Sequence, residues 1–202
     1  FMVASGVMDL SAGSIVSLCG VLTALALHAG MGIAESCLIG IAAGGLMGGL
    51  NGVLIHCTGI NFFVLTLASS GMLRGVSLMI TDGKPVTKFG KEFMQLGIGR
   101  IGELQLPVLF ALALILISFP LLFHTKLGNY IQALGGSETA LKRAGVRTGF
   151  YRIFVHVFLG ITAAVTAIII TARLNSAEPN AGMNMEFDAV TAVIMGGTPI
   201  RG

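Results

Sequence analysis

Charged side chains are scarce in this sequence. Asp, Glu, Lys and Arg make up 10% of its 202 residues, whereas soluble domains carry roughly 25%. Hydrophobic residues make up 54%, so the composition excludes an ordinary soluble domain and predicts a membrane protein. The net charge of +3 comes from bases that lie mostly in two polar segments, and we therefore expect no nucleic-acid partner.

The motifs that bind metals or perform covalent chemistry are also missing. The three cysteines, Cys19, Cys37 and Cys57, are isolated and form no CxxC pair, and the four histidines have no metal-binding spacing. Residues 97–102 fit GxGxxG, but they lie in a polar connection, whereas a dinucleotide site needs a strand before the motif and a helix after it. We therefore predict no catalytic residues, no metal site, no cofactor in this chain and no enzymatic activity.

Long apolar stretches dominate the rest of the sequence. A helix needs about 20 apolar residues to cross a bilayer, and five stretches are long enough, while a sixth predicts a half-helix or a bent helix. They are 10–27, 36–55, 60–80, 104–123, 153–172 and the short 189–200. The sequence thus predicts an all-α, polytopic transmembrane helical bundle with one domain over residues 1–202. Both ends lie in apolar, glycine-rich sequence, so we expect an internal fragment of a longer protein.

Glycines recur every four residues in the second of these stretches, at Gly40, Gly44, Gly48 and Gly52. This spacing places them on one stripe of a helix. In a membrane, such a stripe allows the backbone of another helix to approach closely. We therefore predict tight helix packing along this stripe rather than a ligand site.

One polar segment, residues 124–152, is basic and rich in turn-forming residues. Ser137 is a favourable N-cap, Glu138 and Lys142 are spaced for an ion pair on one helix face, and Gly145 is placed to end the helix. The segment therefore predicts a short, capped helix outside the bilayer, and an exposed rigid helix suits docking onto another protein.

Residues 125–146, TKLGNYIQALGGSETALKRAGV, resemble the cytoplasmic coupling segment of ATP-binding-cassette (ABC) importer permeases of the ribose and simple-sugar type, which are related to branched-chain amino acid permeases. Four further motifs match in family order. They are DLSAGS at 9–14, GGLNGVLI at 48–55, NFFVLTLASSGMLRGVSLMITDGKPV at 61–86 and ARLNSAEPNAGMNMEFDAVTAVIMGGTPIRG at 172–202. The resemblance covers nearly the whole chain, and the permeases of this family are longer at both ends.

The resemblance implies a multi-pass permease subunit of an importer in the bacterial cytoplasmic (inner) membrane. It implies three protein partners: an ABC ATPase subunit that binds ATP and Mg, a second permease chain in a homodimer or heterodimer, and an extracytoplasmic binding protein that delivers a sugar or sugar-like solute. Segment 124–152 would be a cytoplasmic coupling loop. The apolar helices would contact membrane lipid. The residues expected to couple to the ATPase are Ala133, Leu134, Gly135, Gly136, Ser137, Glu138, Ala140, Lys142 and Gly145.

Polar groups at membrane depth are costly and often mark a transport pathway. Asp9 either lines such a pathway or caps the helix that follows, and the sequence leaves both open. The turn after the short last stretch is a further candidate, because the carbonyl groups at the end of a half-helix would lack partners. The full set of pathway candidates is Asp9, Ser11, Asn61, Phe62, Phe63, Thr66, Gly196, Gly197 and Thr198.

Two other classes of membrane protein are alternatives to an importer permease. An ion-coupled secondary carrier needs no ATPase and has no use for a docking helix in segment 124–152. A membrane-embedded enzyme would need acids, histidines or cysteines that converge at one depth, and the sequence shows no such pattern. The sequence does not decide whether the solute is ribose, another sugar or a sugar alcohol.

Overall fold

The computed structural model describes residues 1–198. Helices form most of this part of the chain, after a short 3-10 turn at Val3–Ser5. The α-helices are α1 Ala12–His28, α2 Ile33–Thr58, α3 Phe62–Thr81, α4 Lys91–Ile98, α5 Leu106–Phe123, α6 Lys126–Gly136, α7 Glu138–Arg143, α8 Thr148–Leu174 and α9 Met185–Met195. Two antiparallel strand pairs accompany them, β1 Val86–Thr87 with β4 Ser176–Ala177, and β2 Arg100–Ile101 with β3 Leu104–Gln105. The predicted all-α transmembrane bundle is confirmed.

Four helices, α2, α3, α5 and α8, are long and apolar enough to cross a membrane. Helix α1 is apolar but has 17 residues, which corresponds to about 26 Å at 1.5 Å per residue. Each of the five long stretches in the sequence corresponds to one of these helices, with different bounds. The predicted 36–55 begins at Ile33, because Glu35 accepts a hydrogen bond from the N–H of Gly32 at 3.2 Å and closes the first turn.

The structure also differs from the sequence prediction in two shorter segments. Residues 124–152 were predicted to hold one short helix, but they contain α6, α7 and the beginning of α8, which extends the predicted 153–172 to Thr148–Leu174. The predicted half-helix at 189–200 is instead Met185–Met195. Its acidic first turn, with Glu186 and Asp188, suits the positive end of the helix dipole and explains the earlier beginning. Residues 199 and 200 lie outside the described part.

The bundle has two distinct ends. At the first, which we call the strand end, the Nε2 atom of His28 lies 3.0 Å from the carbonyl oxygen of Thr87, and β1 pairs with β4. At the other, which we call the α6–α7 end, a Cβ on Gly6 would lie 3.2 Å from the Cα of Gly135. Helices α1, α3 and α8 therefore run towards the strand end, and α2 and α5 run away from it.

After β4 the chain turns back into the bundle instead of crossing it. The hydroxyl of Ser17 donates a hydrogen bond to the carbonyl oxygen of Pro179. The backbone of Gly182 then packs directly against that of Gly13, in the first turn of α1. Helix α9 therefore begins deep in the bundle, beside the beginning of α1.

The interface between α2 and α8 brings backbone against backbone. A methyl group at Gly44 would collide with the carbonyl oxygen of Gly160, and one at Gly48 would collide with that of His156. At Gly52 the added carbon would lie 2.8 Å from the Cα of Ile153. The tight packing predicted from the glycine stripe is confirmed, and it holds α2 and α8 together in the centre of the fold.

Candidate functional site

A cavity of about 400 Å³ lies between the first twelve residues, α8 and α9. Its wall is mostly apolar, with polar groups contributed from several elements. Residues that border it include Asp9, Phe158, Thr162, Glu186, Val190 and Thr198. A half-open cavity of this size with few polar groups is typical of sites for small solutes.

A chain of buried hydrogen bonds begins beside the cavity and crosses three helices. The Oδ1 atom of Asp9 accepts from the backbone N–H of Ser11 at 2.7 Å and from the Ser11 hydroxyl. The amide of Asn51 on α2 donates to the Ser11 hydroxyl at 2.8 Å, and Ser69 on α3 donates to Asn51 at 2.7 Å. We call Asp9, Ser11, Asn51 and Ser69 the polar network. It joins the beginning of α1 to α2 and α3.

The network lies inside the bundle rather than at its surface. Asn51 is seven residues from the end of α2 at Thr58, which is about 10 Å along the helix axis. Thr66, on α3, is buried beside it and accepts a hydrogen bond from the N–H of Leu10 at 3.2 Å. Most polar atoms of the network are thus paired with one another, as buried polar groups usually are, but the Oδ2 atom of Asp9 has no partner within residues 1–198.

Asp9 lies just before the first residue of α1 and on the wall of the cavity. Its hydrogen bond to the N–H of Ser11 fixes the backbone just before α1 begins at Ala12, as a short polar side chain does at a helix entrance. The same residue borders the cavity. Asp9 therefore stabilises the turn before α1 without capping an N–H group of the helix, and a role in the solute pathway stays a prediction.

His156 on α8 faces the other oxygen of Asp9. Its Nε2 atom lies 3.8 Å from the Oδ2 atom of Asp9, and its Nδ1 atom lies 2.8 Å from the carbonyl oxygen of Arg152. Sequence reasoning did not select His156 or Asn51. Each is a lone polar residue in an apolar stretch, and only the crossing of α2 and α8 brings them to Asp9.

Glu186 is the second acidic side chain on the cavity wall, after Asp9. The sequence analysis did not select it as a site residue. A Cβ on Gly13 would touch its Oε2 atom, so the carboxylate lies against the first turn of α1. The positive end of a helix dipole favours a negative charge at this place. Its Oε2 atom is buried and forms no hydrogen bond within residues 1–198.

The pathway candidates at the beginning of α3 do not border this cavity. Asn61 caps the helix by accepting a hydrogen bond from the N–H of Phe63 at 2.9 Å, and Phe62 follows it in the first turn. The Phe63 side chain is 48% exposed on the outer surface of the described chain. The structure therefore brings Asp9, Ser11 and Thr66 together, whereas neither Phe62 nor Phe63 lines the cavity formed by the described residues.

The turn after α9 differs from the prediction in its hydrogen bonding. The expectation that its last carbonyl groups lack partners was wrong, because the N–H groups of Gly196, Gly197 and Thr198 donate to the carbonyl groups of the last helical turn. Gly197 has a φ of 89°, which permits this reversal. Thr198 borders the cavity, whereas Gly196 and Gly197 are exposed.

The α6–α7 end carries a compact set of charged contacts. Ser137 caps α7 by accepting from the N–H of Ala140 at 3.2 Å. Glu138 forms ion pairs with Lys142 at 3.0 Å and with Arg152 on α8 at 2.6 Å. Partial burial opposes ionisation of Glu138, but the hydrogen bond from Lys142 and the charge of Arg152 outweigh it and lower the pKa of this carboxyl below its usual value.

The coupling candidates divide into two groups in the structure. Leu134 is buried and Gly135 packs against Gly6, so these two hold the segment to the bundle. Glu138 is half-buried in its ion pairs. The others are exposed at the surface of the α6–α7 end: Ala133, Gly136, Ser137, Ala140, Lys142 and Gly145.

Comparison with known proteins gives whole-chain matches. The family described as branched-chain amino acid transport system / permease component matches residues 1–202. Ribose import permease protein RbsC of Haemophilus influenzae is 32% identical over 206 residues, which cover 100% of this chain and 64% of that protein. D-allose transport system permease protein AlsC of Escherichia coli is 35% identical, over 96% of this chain and 60% of that protein.

A third relative, L-arabinose transport system permease protein AraH of Escherichia coli, is 34% identical over 100% of this chain and 62% of that protein. The chain therefore spans about three fifths of the length of these curated relatives. No solved structure matches it significantly. Four apolar helices of spanning length, together with these matches, identify a multi-pass membrane protein, and the chain belongs to the family of branched-chain amino acid transport system permease components.

Proposed function

We propose that this chain forms the larger part of a permease subunit of an ABC importer in the bacterial inner membrane. The observation that carries the proposal is the position of the α6–α7 end. It presents an exposed, capped helix to the solvent, and it is attached by direct contacts to two of the elements that line the cavity, the first residues of the chain and α8. A partner that moves this helix would therefore move the cavity wall.

Two contacts transmit such a movement. Glu138 on α7 is joined to Arg152 on α8 by an ion pair of 2.6 Å, and α8 forms one wall of the cavity. Gly135, in the last turn of α6, packs against Gly6, and the first residues of the chain form another wall. Displacement of α6 and α7 would shift the two walls in a concerted way, as alternating access requires.

The partners follow from this arrangement. A separate ATPase subunit, which would bind ATP and Mg, would dock on the exposed residues around Ala140. A binding protein would deliver the solute at the strand end. The apolar side chains on α5, of which none is buried within residues 1–198, would contact lipid, the remainder of the subunit or a second permease chain, in a homodimer or heterodimer.

The cavity suits a solute of monosaccharide size. Its volume of about 400 Å³ lies in the range of small-molecule sites. Glu186 and Thr198 border it with oxygen atoms that could accept hydrogen bonds from hydroxyl groups, while the apolar remainder of the wall would keep binding weak enough for release. Relatives named for ribose, D-allose and L-arabinose transport agree with a sugar as the solute.

A cross-linking experiment on the full-length permease tests the docking site and the orientation together. Cysteine replaces Ala140 or Lys91 in a background in which Cys19, Cys37 and Cys57 are changed to serine. Both positions are exposed, at opposite ends of the bundle. We expect Ala140→Cys to cross-link to the co-expressed ATPase subunit, and Lys91→Cys to react instead with a membrane-impermeant thiol reagent from outside the cell.

Lys91→Cys is the matched control, because it has the same chemistry on the other side of the membrane. Cross-linking of the ATPase to position 91, or external labelling of position 140, would refute the proposed orientation. If neither position cross-links in a complex that still hydrolyses ATP, α7 is not the docking helix. Uptake of radiolabelled ribose, D-allose and L-arabinose into vesicles that hold the assembled importer then identifies the solute.

A further inference from the structure

The contact between Asp9 and His156 joins two titratable side chains in the interior of the bundle, and the proposed transport role does not use it. The side chains are 0% and 1% exposed, respectively, and the Oδ2 atom of Asp9 lies 3.8 Å from the Nε2 atom of His156. Both atoms are buried and have no hydrogen-bond partner within residues 1–198. Leaving two such atoms unsatisfied in an apolar interior is costly, so the contact requires an explanation.

The second ring nitrogen of His156 determines where its hydrogen lies. The Nδ1 atom is 2.8 Å from the carbonyl oxygen of Arg152. A carbonyl oxygen can only accept a hydrogen bond, so Nδ1 must carry the hydrogen. In a neutral imidazole the Nε2 atom then has a lone pair and no hydrogen. A neutral His156 would therefore direct an acceptor at Asp9.

Asp9 also offers only acceptors when it is ionised. Its Oδ1 atom already accepts from the N–H and the hydroxyl of Ser11, which fixes the carboxylate with Oδ2 near the imidazole ring. A neutral His156 beside an ionised Asp9 would thus oppose two lone pairs in a medium that screens them weakly. One additional proton resolves the conflict, because it converts one of the two atoms into a donor.

We propose that Asp9 and His156 together form a proton-binding site, which holds one proton between Oδ2 and Nε2. The pair is then either an imidazolium with a carboxylate or a neutral imidazole with a carboxylic acid, and both forms contain the same number of protons. The present separation of 3.8 Å exceeds a hydrogen bond, so the proposal requires the two atoms to move within hydrogen-bond distance of each other.

Other charged or titratable side chains lie on the elements packed around the pair. They include Arg152 and Arg173 on α8, Glu186 and Asp188 on α9, Arg74 on α3, and Glu35 and His56 on α2. The Arg152 side chain is occupied by Glu138, and the ring of His56 lies against Gly149. Within residues 1–198, none of these side chains forms an ion pair or a hydrogen bond with Asp9 or His156.

The shared proton would join two walls of the cavity, the first residues of the chain and α8. Asp9 is connected through Ser11 to Asn51 and Ser69, so the polar network already joins residues 9–11 to α2 and α3. The protonated contact with His156 adds α8 to this set. Loss of the proton would replace an attraction by a repulsion at the point where the first residues of the chain meet α8, and the wall would be held less firmly.

The sign of the pH dependence follows from the bound proton. The folded bundle holds a proton that the unfolded chain releases at high pH. Linkage then makes the stabilisation present at low pH and removes it as the pH rises. The thermal midpoint (Tm) of the full-length permease in detergent should therefore decrease as the pH is raised from about 6 to about 9. This decrease should depend on Asp9 and His156.

Two substitutions replace one titratable side chain of the pair by an amide, which donates a hydrogen bond at every pH. Asp9→Asn places an amide donor opposite the Nε2 atom, and His156→Gln places one opposite the Oδ2 atom. His124→Gln, at an exposed histidine, is the control for loss of a titrating imidazole elsewhere. We expect both test variants to reduce the fall in Tm between about pH 6 and about pH 9 by about 2–4 °C relative to the wild type, and the control to leave it unchanged.

Equal pH dependence in the wild type and in the folded test variants would overturn the proposal, and either variant alone is sufficient if the other fails to fold. Nitrogen NMR of the wild-type permease labelled at histidine gives an answer that depends on no variant. A buried, slowly exchanging imidazole whose Nε2 atom is unprotonated and free of hydrogen bonds at about pH 6 would also overturn it. Because neither measurement involves transport, the outcome is separate from that of the proposed function.

Discussion

Helix α8 is held by two different kinds of contact along its length. In its middle, the backbone at His156 and Gly160 lies directly against the glycines of α2. At its beginning, Arg152 and Thr148 hold Glu138 of α7 through an ion pair and a hydrogen bond. The first contact is direct packing of backbone against backbone, and the second is an attraction between flexible side chains.

The difference indicates which part of the molecule can move. Steric repulsion between backbones rises steeply with displacement, so α2 and α8 should behave as one rigid body. An ion pair between long side chains tolerates a change of geometry, since the side chains can follow one another. We infer that the α6–α7 end can be displaced relative to α8 while α2 and α8 stay together, and three substitutions test this comparison.

The largest effect is expected at Gly48. Gly48→Ala adds a methyl group that meets the carbonyl oxygen of His156, so α2 and α8 must separate. Overpacking of this kind costs about 1–3 kcal/mol, and we expect the upper part of that range because backbone, rather than a side chain, must yield. Thermal unfolding of the full-length permease in detergent measures the loss.

Gly71→Ala is the matched control, since a Cβ at Gly71 on α3 meets no atom within 4 Å in the described part of the chain. Alanine is favoured over glycine within a helix, so this variant should melt at the wild-type temperature or slightly above it. Equal loss of stability in the two variants would show that the α2–α8 contact is not the rigid one.

An intermediate effect is expected in the polar network. Asn51→Leu removes the donor to Ser11 and the acceptor for Ser69. It leaves the buried Ser69 hydroxyl without its acceptor, while the Ser11 hydroxyl keeps its hydrogen bond to Asp9. Such a loss costs about 1–3 kcal/mol. Ser77→Ala on α3 is the control, because among the described residues the Ser77 hydroxyl bonds only the carbonyl group of Leu73, in its own helix. If both variants lose equally little stability, the network does not join the helices.

Much of the fold could be predicted from the sequence, because its strongest patterns are local. Long apolar stretches indicate spanning helices, and the spacing of Gly44, Gly48 and Gly52 indicates a close helix contact. Helix ends were less predictable. Helix α8 begins at Thr148, before its apolar stretch, because polar residues there are retained by contacts with Glu138 on another helix.

The candidate site could be predicted only in part, because it is assembled from distant segments. Asp9 and Ser11 could be selected, since a polar pair before an apolar run is visible locally. Asn51 and His156 could not, because their partners are 40 and 147 residues away in the chain. The return of residues 178–184 into the bundle, which places Glu186 on the cavity wall, has no periodic signal in the sequence.

The smallest effect on stability is expected at Glu138, where the contact is electrostatic and partly exposed. Glu138→Gln removes the charge that pairs with Lys142 and Arg152. Pairs at the surface contribute about 0–1 kcal/mol, so the variant should unfold within a few degrees of the wild type at neutral pH. The same variant should nevertheless weaken the coupling between ATP hydrolysis and transport, because it releases α7 from α8.

The pH dependence separates this contact from the others. The pKa of Glu138 is lowered in the folded protein from its model-compound value of 4.5, so its stabilisation is present above that value and is lost as the pH falls through the lower, folded value. Below about pH 4.5, wild-type stability should therefore approach that of Glu138→Gln, and the difference between them should vanish. Gly48→Ala, which changes no charge, should keep its full deficit over the same range. A deficit of Glu138→Gln that persists unchanged in acid would show that Glu138 acts through packing, and then α7 and α8 would be as rigidly joined as α2 and α8.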